Sequence, residues 1–439
     1  MTLFAIWPSF GFRENPYSQD TLPAAEEGDM LIVGRDSEIQ ALQRAIGSGG
    51  AHPSVEGPVG VGKTSLINVA TYRMAKQCME ARERVLFIPA VRTFQPTDTA
   101  AAFEHELFRG IAQTLLKYRG SFSHVGLPEP ETDGWEEWLT RPVFENVSGG
   151  GGVATVSVQM GYGSEPNTSD GYTASGFQEE IRRQLALVFG ENGGGIVCVL
   201  DNLEVLESVG NARTTLDQLR DRVFNIPGIR WVLCGSRGIV SRARTERLSG
   251  VIRSAMQVRA LDDESAVEAI HRRISYFGET TAEAPVTPEG FEFLYQALHR
   301  NLRNALEFAQ EFSDWLAQEY LDSGKDLPGP DERDALLQAW LVEKAEQARS
   351  DASGVQPRVW QFFVDLCAKN GRAGSSEFEE YGFVNQQQLT SSVTALVDCN
   401  LVVRETDPEN GTRTINSVTA LGWLVFFYKE QVELPGATS

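Results

Sequence analysis

The sequence predicts an α/β protein in which a parallel sheet carries one phosphate-binding loop, followed by helices and a small winged-helix-like module. Three observations lead there. Gly57-Pro58-Val59-Gly60-Val61-Gly62-Lys63-Thr64-Ser65 fits G-x-x-x-x-G-K-[ST] without adjustment. The apolar runs at 85–88, 196–200 and 231–234 have the length and composition of buried parallel strands. Beyond residue 261 the apolar spacing becomes helical. Residues 355–430 return to a helix with Trp360, Phe363, Val364 and Cys367, a short second one from Ser375, a third over Gln386 to Asp398 and a hairpin turned at 407–411.

Composition narrows the classes of function. A chain of 439 residues suggests about three domains, and 41% hydrophobic residues suffice for real cores. The formal charge of −21 repels polyanions and anionic membranes, so any nucleic-acid contact needs a local basic patch. Cys78, Cys198, Cys234, Cys367 and Cys399 are scattered, with no C-x-x-C pair, and read as reduced core residues of a cytoplasmic protein. The N-terminus has Pro8 and no basic leader, so no secretory signal is expected. No apolar run reaches the length of a membrane span.

Residues 1–30 form an aromatic arm containing Phe4, Trp7, Phe10, Phe12 and Tyr17, expected to pack either on the chain's own core or on a neighbouring subunit. After it, Ile39, Leu42 and Ile46 mark one face of a helix. Ser54-Val55-Glu56 is a strand end leading into the phosphate loop, and Leu66, Ile67, Ala70, Met74 and Cys78 make the apolar stripe of the helix after it. In the loop, Gly57, Gly60 and Gly62 let the backbone wrap around a pyrophosphate, with the N–H groups of Val61 to Ser65 turned inward at the positive end of the helix. Lys63 reaches the β- and γ-phosphates, and the Thr64 hydroxyl holds Mg²⁺.

Arg84–Ala90 is a further strand, followed by a helix near 100–118 with Phe103, Leu107, Ile111 and Leu115 on one face. Residues 119–175 break the pattern as an insertion, and the alternation over Val153–Met160 reads as half of a hairpin, either bland surface or a partner contact. A helix over 176–190 precedes Ile196–Leu200, whose apolar run ends in Asp201 and delivers a carboxylate to the Mg²⁺ shell. Asn202 follows, so no second carboxylate stands beside Asp201 to orient water, and Glu204 supplies one only if the strand end bends. The sequence thus supports nucleotide binding more firmly than fast hydrolysis.

These motifs resemble those of AAA+ ATPases of the origin-recognition-complex-like type and of the related STAND signalling ATPases, including the NB-ARC group. The resemblance covers roughly 28–430 and implies a parallel-sheet P-loop AAA+ core at 31–260, a helical lid and linker at 261–350 and a winged helix at 355–430. Val33-Gly34-Arg35 is similar to the box that borders adenine in those families, which implies cofactor contacts for Val33 and Arg35. Arg230–Arg237 resembles their sensor strand, which makes Ser236 and Arg237 sensor candidates. Arg242, Arg244 and Arg247 occupy the region that lies at a subunit boundary in relatives, with Arg247 the expected arginine finger. His299–Leu306 is similar to the G-N-x-R-x-A-L lid segment, with His299 in place of Gly and Arg303 as the second sensor.

The resemblance implies ATP and Mg²⁺ as cofactors, a slow ATPase, a homo-oligomer, and a regulatory switch acting on a separately encoded protein effector, as in antiviral defence. A DNA-associated initiator or transposition regulator and a scaffold with a structural nucleotide are the alternatives. The third winged-helix segment offers Asn385, Gln386, Gln387 and Gln388 but no cation, and residues 355–439 hold six Lys/Arg against ten Asp/Glu, a balance that opposes phosphate binding.

Overall fold

The computed structural model describes residues 5–97, 99–140, 174–190, 193–203, 209–374, 376–406 and 414–432. Five parallel strands form the core sheet: β1 (Ser54–Glu56), β2 (Leu86–Pro89), β3 (Gly194–Leu200), β4 (Ile229–Gly235) and β5 (Met256–Gln257), in the order β2-β3-β4-β1-β5. β3 is buried along its whole length because helices cover both faces, which is why its sequence runs apolar without alternation. One face packs Ile39, Leu42, Ile46, Leu66 and Ile67 against Val55 and Val232. The other packs Phe103, Leu107, Ile111 and Ile181 against Cys198 and Trp231, which are register partners across β3 and β4. Loops at the carboxyl ends of β1, β3 and β4 therefore converge on one edge, where open α/β sheets place ligands.

The lid consists of helices Asp263–Phe277, Pro288–Ala297 and Leu302–Leu316, each started by a side-chain cap. Asp262 accepts from Ser265 N, Thr287 from Gly290 N and Asn301 from Asn304 N, satisfying donors that a helix start leaves open. Pro330 then opens a long helix to Asp351, since proline suits the first helical position.

The winged helix comprises helix Pro357–Ala368, β6 (Arg372–Gly374), helix Gln386–Asp398, β7 (Val402–Thr406), β8 (Thr414–Val418) and helix Ala420–Val432. The short second helix expected from Ser375 is instead a 3-10 turn at Phe378–Tyr381, stopped by Gly382 in the left-handed region. β6, which pairs antiparallel with β8, and the last helix were not expected.

The arm packs on its own chain. Phe10, Phe12 and Tyr17 are buried in one hydrophobic core with Phe277, Phe291 and Phe312 of the lid and Phe362 and Leu389 of the winged helix. Tyr17 Oη donates to the Val286 carbonyl at 2.6 Å, and burial pushes its phenol up.

The described start of the insertion is helical, Arg119–His124 and Trp135–Thr140, and packs on helix Ala100–Lys117. The alternating stretch at 153–160, Glu204 and the turn at 407–411 lie outside the described residues. Cys198, Cys234 and Cys367 are buried, Cys78 and Cys399 half-buried. Among the described residues no helix is long and apolar enough to cross a membrane.

Candidate functional site

The phosphate loop leaves β1 at Glu56, which is fully buried and fixes where the loop starts. Its carboxylate accepts from Val240 N, Ser241 N and Ser241 Oγ at 2.7–2.8 Å and from Gln257 Nε2 at 2.9 Å. One side chain thereby joins β1 to β5 and to the helix Ile239–Ala243 that follows Ser236 and Arg237. A buried carboxylate persists only with such a set of donors.

Two glycines are required by their surroundings. A Cβ on Gly57 would strike the Val258 carbonyl, and one on Gly60 would lie 2.6 Å from Asn301 Oδ1 and 2.9 Å from Arg303 Cβ. The loop therefore touches the sheet on one side and the lid on the other. Gly62, at φ 87°, caps helix Lys63–Ala81 and turns its first N–H groups toward the cavity.

That cavity, about 110 Å³, is lined by Gly60, Gly62, Lys63, Thr64 and Ser65 of the loop, Asp201 and Asn202 of the β3 end, and Arg303 of the lid. Lys63 Nζ donates to the carbonyls of Gly57 and Pro58 at 3.1 and 3.0 Å, which holds the ammonium inside the loop. Thr64 Oγ1 donates to Asp201 Oδ2 at 2.7 Å, and Asn202 N donates to Asp201 Oδ1 at 2.8 Å. A hydroxyl and a carboxylate oxygen in contact are hard donors of the type that Mg²⁺ takes beside phosphate oxygens. Asn202 sits at φ 56°, so the strand end turns sharply just after Asp201.

Of the residues singled out in the sequence, the structure brings Gly60, Gly62, Lys63, Thr64, Ser65, Asp201 and Arg303 together around one cavity. Gly57, Val61, Val33, Arg35, Arg237 and Arg247 do not line it. Arg35 is a buried brace whose Nη2 donates to the carbonyls of Val61 and Arg259 at 3.1 and 2.8 Å, with its pKa lowered by burial against the opposing pull of Glu38. Arg237 is exposed at the end of β4, and Arg247 is exposed on the short helix Glu246–Ser249. Arg244 is committed to the carbonyls of Ile252 and Ser249.

Three contributors were missed. Asn301 Nδ2 donates to the Val59 carbonyl at 3.3 Å, joining lid to loop, and its signal was present in the lid segment. Arg273 of helix Asp263–Phe277 and Gln19, Asp20 and Thr21 of the arm line the cavity itself, which Asn301 does not. No motif marks either.

Fold and loop together define a P-loop protein of AAA+ architecture with a lid and a C-terminal winged helix. Among solved structures the chain is similar to ORC1 of Aeropyrum pernix in complex with DNA, at TM-score 0.45 and 13% identity, covering 96% of this chain and 98% of that one. It is similar to ORC2 of the same organism, in its ADPNP–ADP complexes, at TM-score 0.44 and 12% identity over 96% and 99%. Drosophila ORC bound to DNA is similar at TM-score 0.39 and 11% identity over 94% and 90%. No protein-family model and no curated protein matches the chain.

Proposed function

We propose that this chain is an ATP-binding switch that uses Mg²⁺ and hydrolyses its nucleotide slowly. The observation that carries the reading is the convergence of Lys63, the Thr64–Asp201 pair and the lid residue Arg303 on one cavity. In it the loop amides and Lys63 hold the phosphates, Thr64 and Asp201 hold the metal ion, and Arg303 reads the terminal phosphate from the lid. ATP favours the closed lid only by the difference its γ-phosphate makes to these contacts. Asn202 supplies no carboxylate to orient water, and this supports slow turnover.

A homo-oligomer with Arg247 acting across a subunit boundary is part of the same proposal, supported by that residue's exposure. Two kinds of partner follow for the switch. DNA is the first to test, because ORC1 and Drosophila ORC were solved with it and Asn385–Gln388 are exposed at the start of the third winged-helix segment, where a groove-reading helix carries its amides. A protein effector is favoured by charge. Arg372 pairs with Glu405, Lys369 with Glu380, and Arg404 donates to the Thr390 carbonyl, so these cations already serve the module itself.

Light scattering during size exclusion, with ADP or ATP, tests the switch beside Lys63→Ala and Arg303→Ala. An ATP-dependent mass increase lost in both variants is expected. One mass in every state, with nucleotide bound, contradicts the switch and leaves a structural nucleotide. Retention on duplex DNA that falls steeply with salt selects DNA as partner, and its absence selects the effector.

A further inference from the structure

The segment Gln19-Asp20-Thr21 is a strap with space on both sides. It forms a wall of the 110 Å³ phosphate cavity and also a wall of a second cavity of about 410 Å³, lined further by Pro23, Leu31, Phe277 and Gln310. Both ends of the strap are pinned, and to different bodies. On the lid side, Arg273 is buried and its Nη1 donates to the carbonyls of Ser18 at 2.7 Å and Pro16 at 3.4 Å. On the core side, Leu22 N donates to Ser65 Oγ at 3.1 Å, and Asn68 Nδ2 donates to the Leu22 carbonyl at 2.9 Å. Between the pins a local turn holds the strap, in which Asp20 N donates to Ser18 Oγ at 3.1 Å and that hydroxyl donates to Asp20 Oδ2, and the Asp20 carboxylate is drawn toward Arg273.

A cavity of 110 Å³ is well below the roughly 300–1,000 Å³ of small-molecule sites, so something must withdraw to admit a nucleotide. The strap is the wall with room behind it. Its residues are exposed and lie outside the sheet, whereas β3 is held on both edges by β2 and β4.

We propose that strap 19–21 is the gate of the nucleotide site, and that Arg273 and Ser65 are the positioning residues that hold it shut. The inference rests on the phosphate-site reading above. It also gives the Ser65 hydroxyl a role beside any phosphate contact, because its oxygen accepts from Leu22 N of the arm. The strap ties lid to core, so lid opening and nucleotide release share one movement.

A gate leaves a kinetic signature. Loosening it raises the entry and exit rates together, while a residue that only contributes affinity raises the exit rate alone. The experiment is stopped-flow binding and displacement of ADP carrying an N-methylanthraniloyl label, on the full chain and on Ser65→Ala, Ser65→Thr, Arg273→Gln and Lys63→Ala. Ser65→Ala and Arg273→Gln should raise both rate constants by roughly fivefold, as expected for loss of one or two hydrogen bonds. Ser65→Thr, which keeps the hydroxyl, should restore wild-type rates. Unchanged rates in Ser65→Ala, or a faster exit without a faster entry, overturns the gate. Should Arg273→Gln fold poorly, Ser65→Ala decides. Undiminished binding by Lys63→Ala would instead overturn the nucleotide site itself.

Discussion

His299 lies flat on Trp423, with ring centroids 3.8 Å apart and planes 4° apart. Two residues later Asn301 donates to Val59 of the phosphate loop, so the lid turn 299–301 touches the winged helix on one side and the loop on the other. His299 and Arg300 both hold positive φ, 55° and 56°, a conformation costly for side-chain-bearing residues and sustained here by the Trp423 stack and by the ion pair of Arg300 with Asp263 at 2.7 Å. Movement of the turn 299–301 against the loop therefore reaches the environment of Trp423 through His299. The difference in emission between wild type and Trp423→Phe should change on addition of Mg²⁺-ATP. An identical nucleotide response in both proteins contradicts this coupling.

Acid should weaken both this joint and the sheet. The His299 pKa is lowered by burial and then by Arg300, and that of His52 by burial and then by Arg230, against the opposing pull of the Phe224 carbonyl. Trp231 N donates to His52 Nδ1, so the neutral ring with its proton on Nε2 is the form the fold uses. For groups whose folded pKa lies below the unfolded value, the stabilisation is complete above the unfolded pKa, 6.5, and is lost as pH falls through the folded values. Urea midpoints should drop between about pH 7 and 5, and His52→Gln should flatten that drop.

Gly60 and Gly62 allow strain to be separated from collision. Both have positive φ, 84° and 87°, but a Cβ on Gly62 meets nothing within 4 Å while one on Gly60 meets Asn301 and Arg303. Gly62→Ala should cost about 1 kcal/mol in denaturant unfolding through backbone strain alone. Gly60→Ala should cost about 1–3 kcal/mol more, because overpacking adds to the strain. Asn301→Ala in the Gly60→Ala background should recover part of the difference, and equal costs for the two alanines would show that the lid does not rest on the loop.

Glu56 should be a stability residue of the site. Glu56→Gln keeps the shape but sets an amide N–H₂ against backbone donors, and about 2–4 kcal/mol of unfolding free energy should be lost. Calorimetric melting measures it. A change within about 0.5 kcal/mol would mean that helix Ile239–Ala243 holds its place without the carboxylate.

Legibility of the chain follows the range of the forces involved. The loop, Asp201 and the strands at 85–88, 196–200 and 231–234 were readable because each is fixed by local chemistry or by a continuous apolar run. The lid joint was readable only in part: Asn301 falls within the segment 299–306 but was not read as a contact. Glu56 was not readable as a hub, since its donors Val240 and Ser241 are 184 and 185 residues away. Arg273 looks in sequence like one charge on an amphipathic helix, and strap 19–21 has no periodicity at all. The last helix escaped because the run from Leu421 to Tyr428 is almost wholly apolar, and such a run carries no helical period.

The central claim is that this cavity binds Mg²⁺-nucleotide and that the lid reads the γ-phosphate. Isothermal titration of ATP and ADP, each with Mg²⁺, into wild type, Lys63→Ala and Arg303→Ala tests it most directly. The account predicts one site per chain, a loss of about 3 kcal/mol in Lys63→Ala for both nucleotides, and a loss in Arg303→Ala confined largely to ATP. Equal affinities in all three proteins, or an Arg303→Ala loss equal for ATP and ADP, would contradict it.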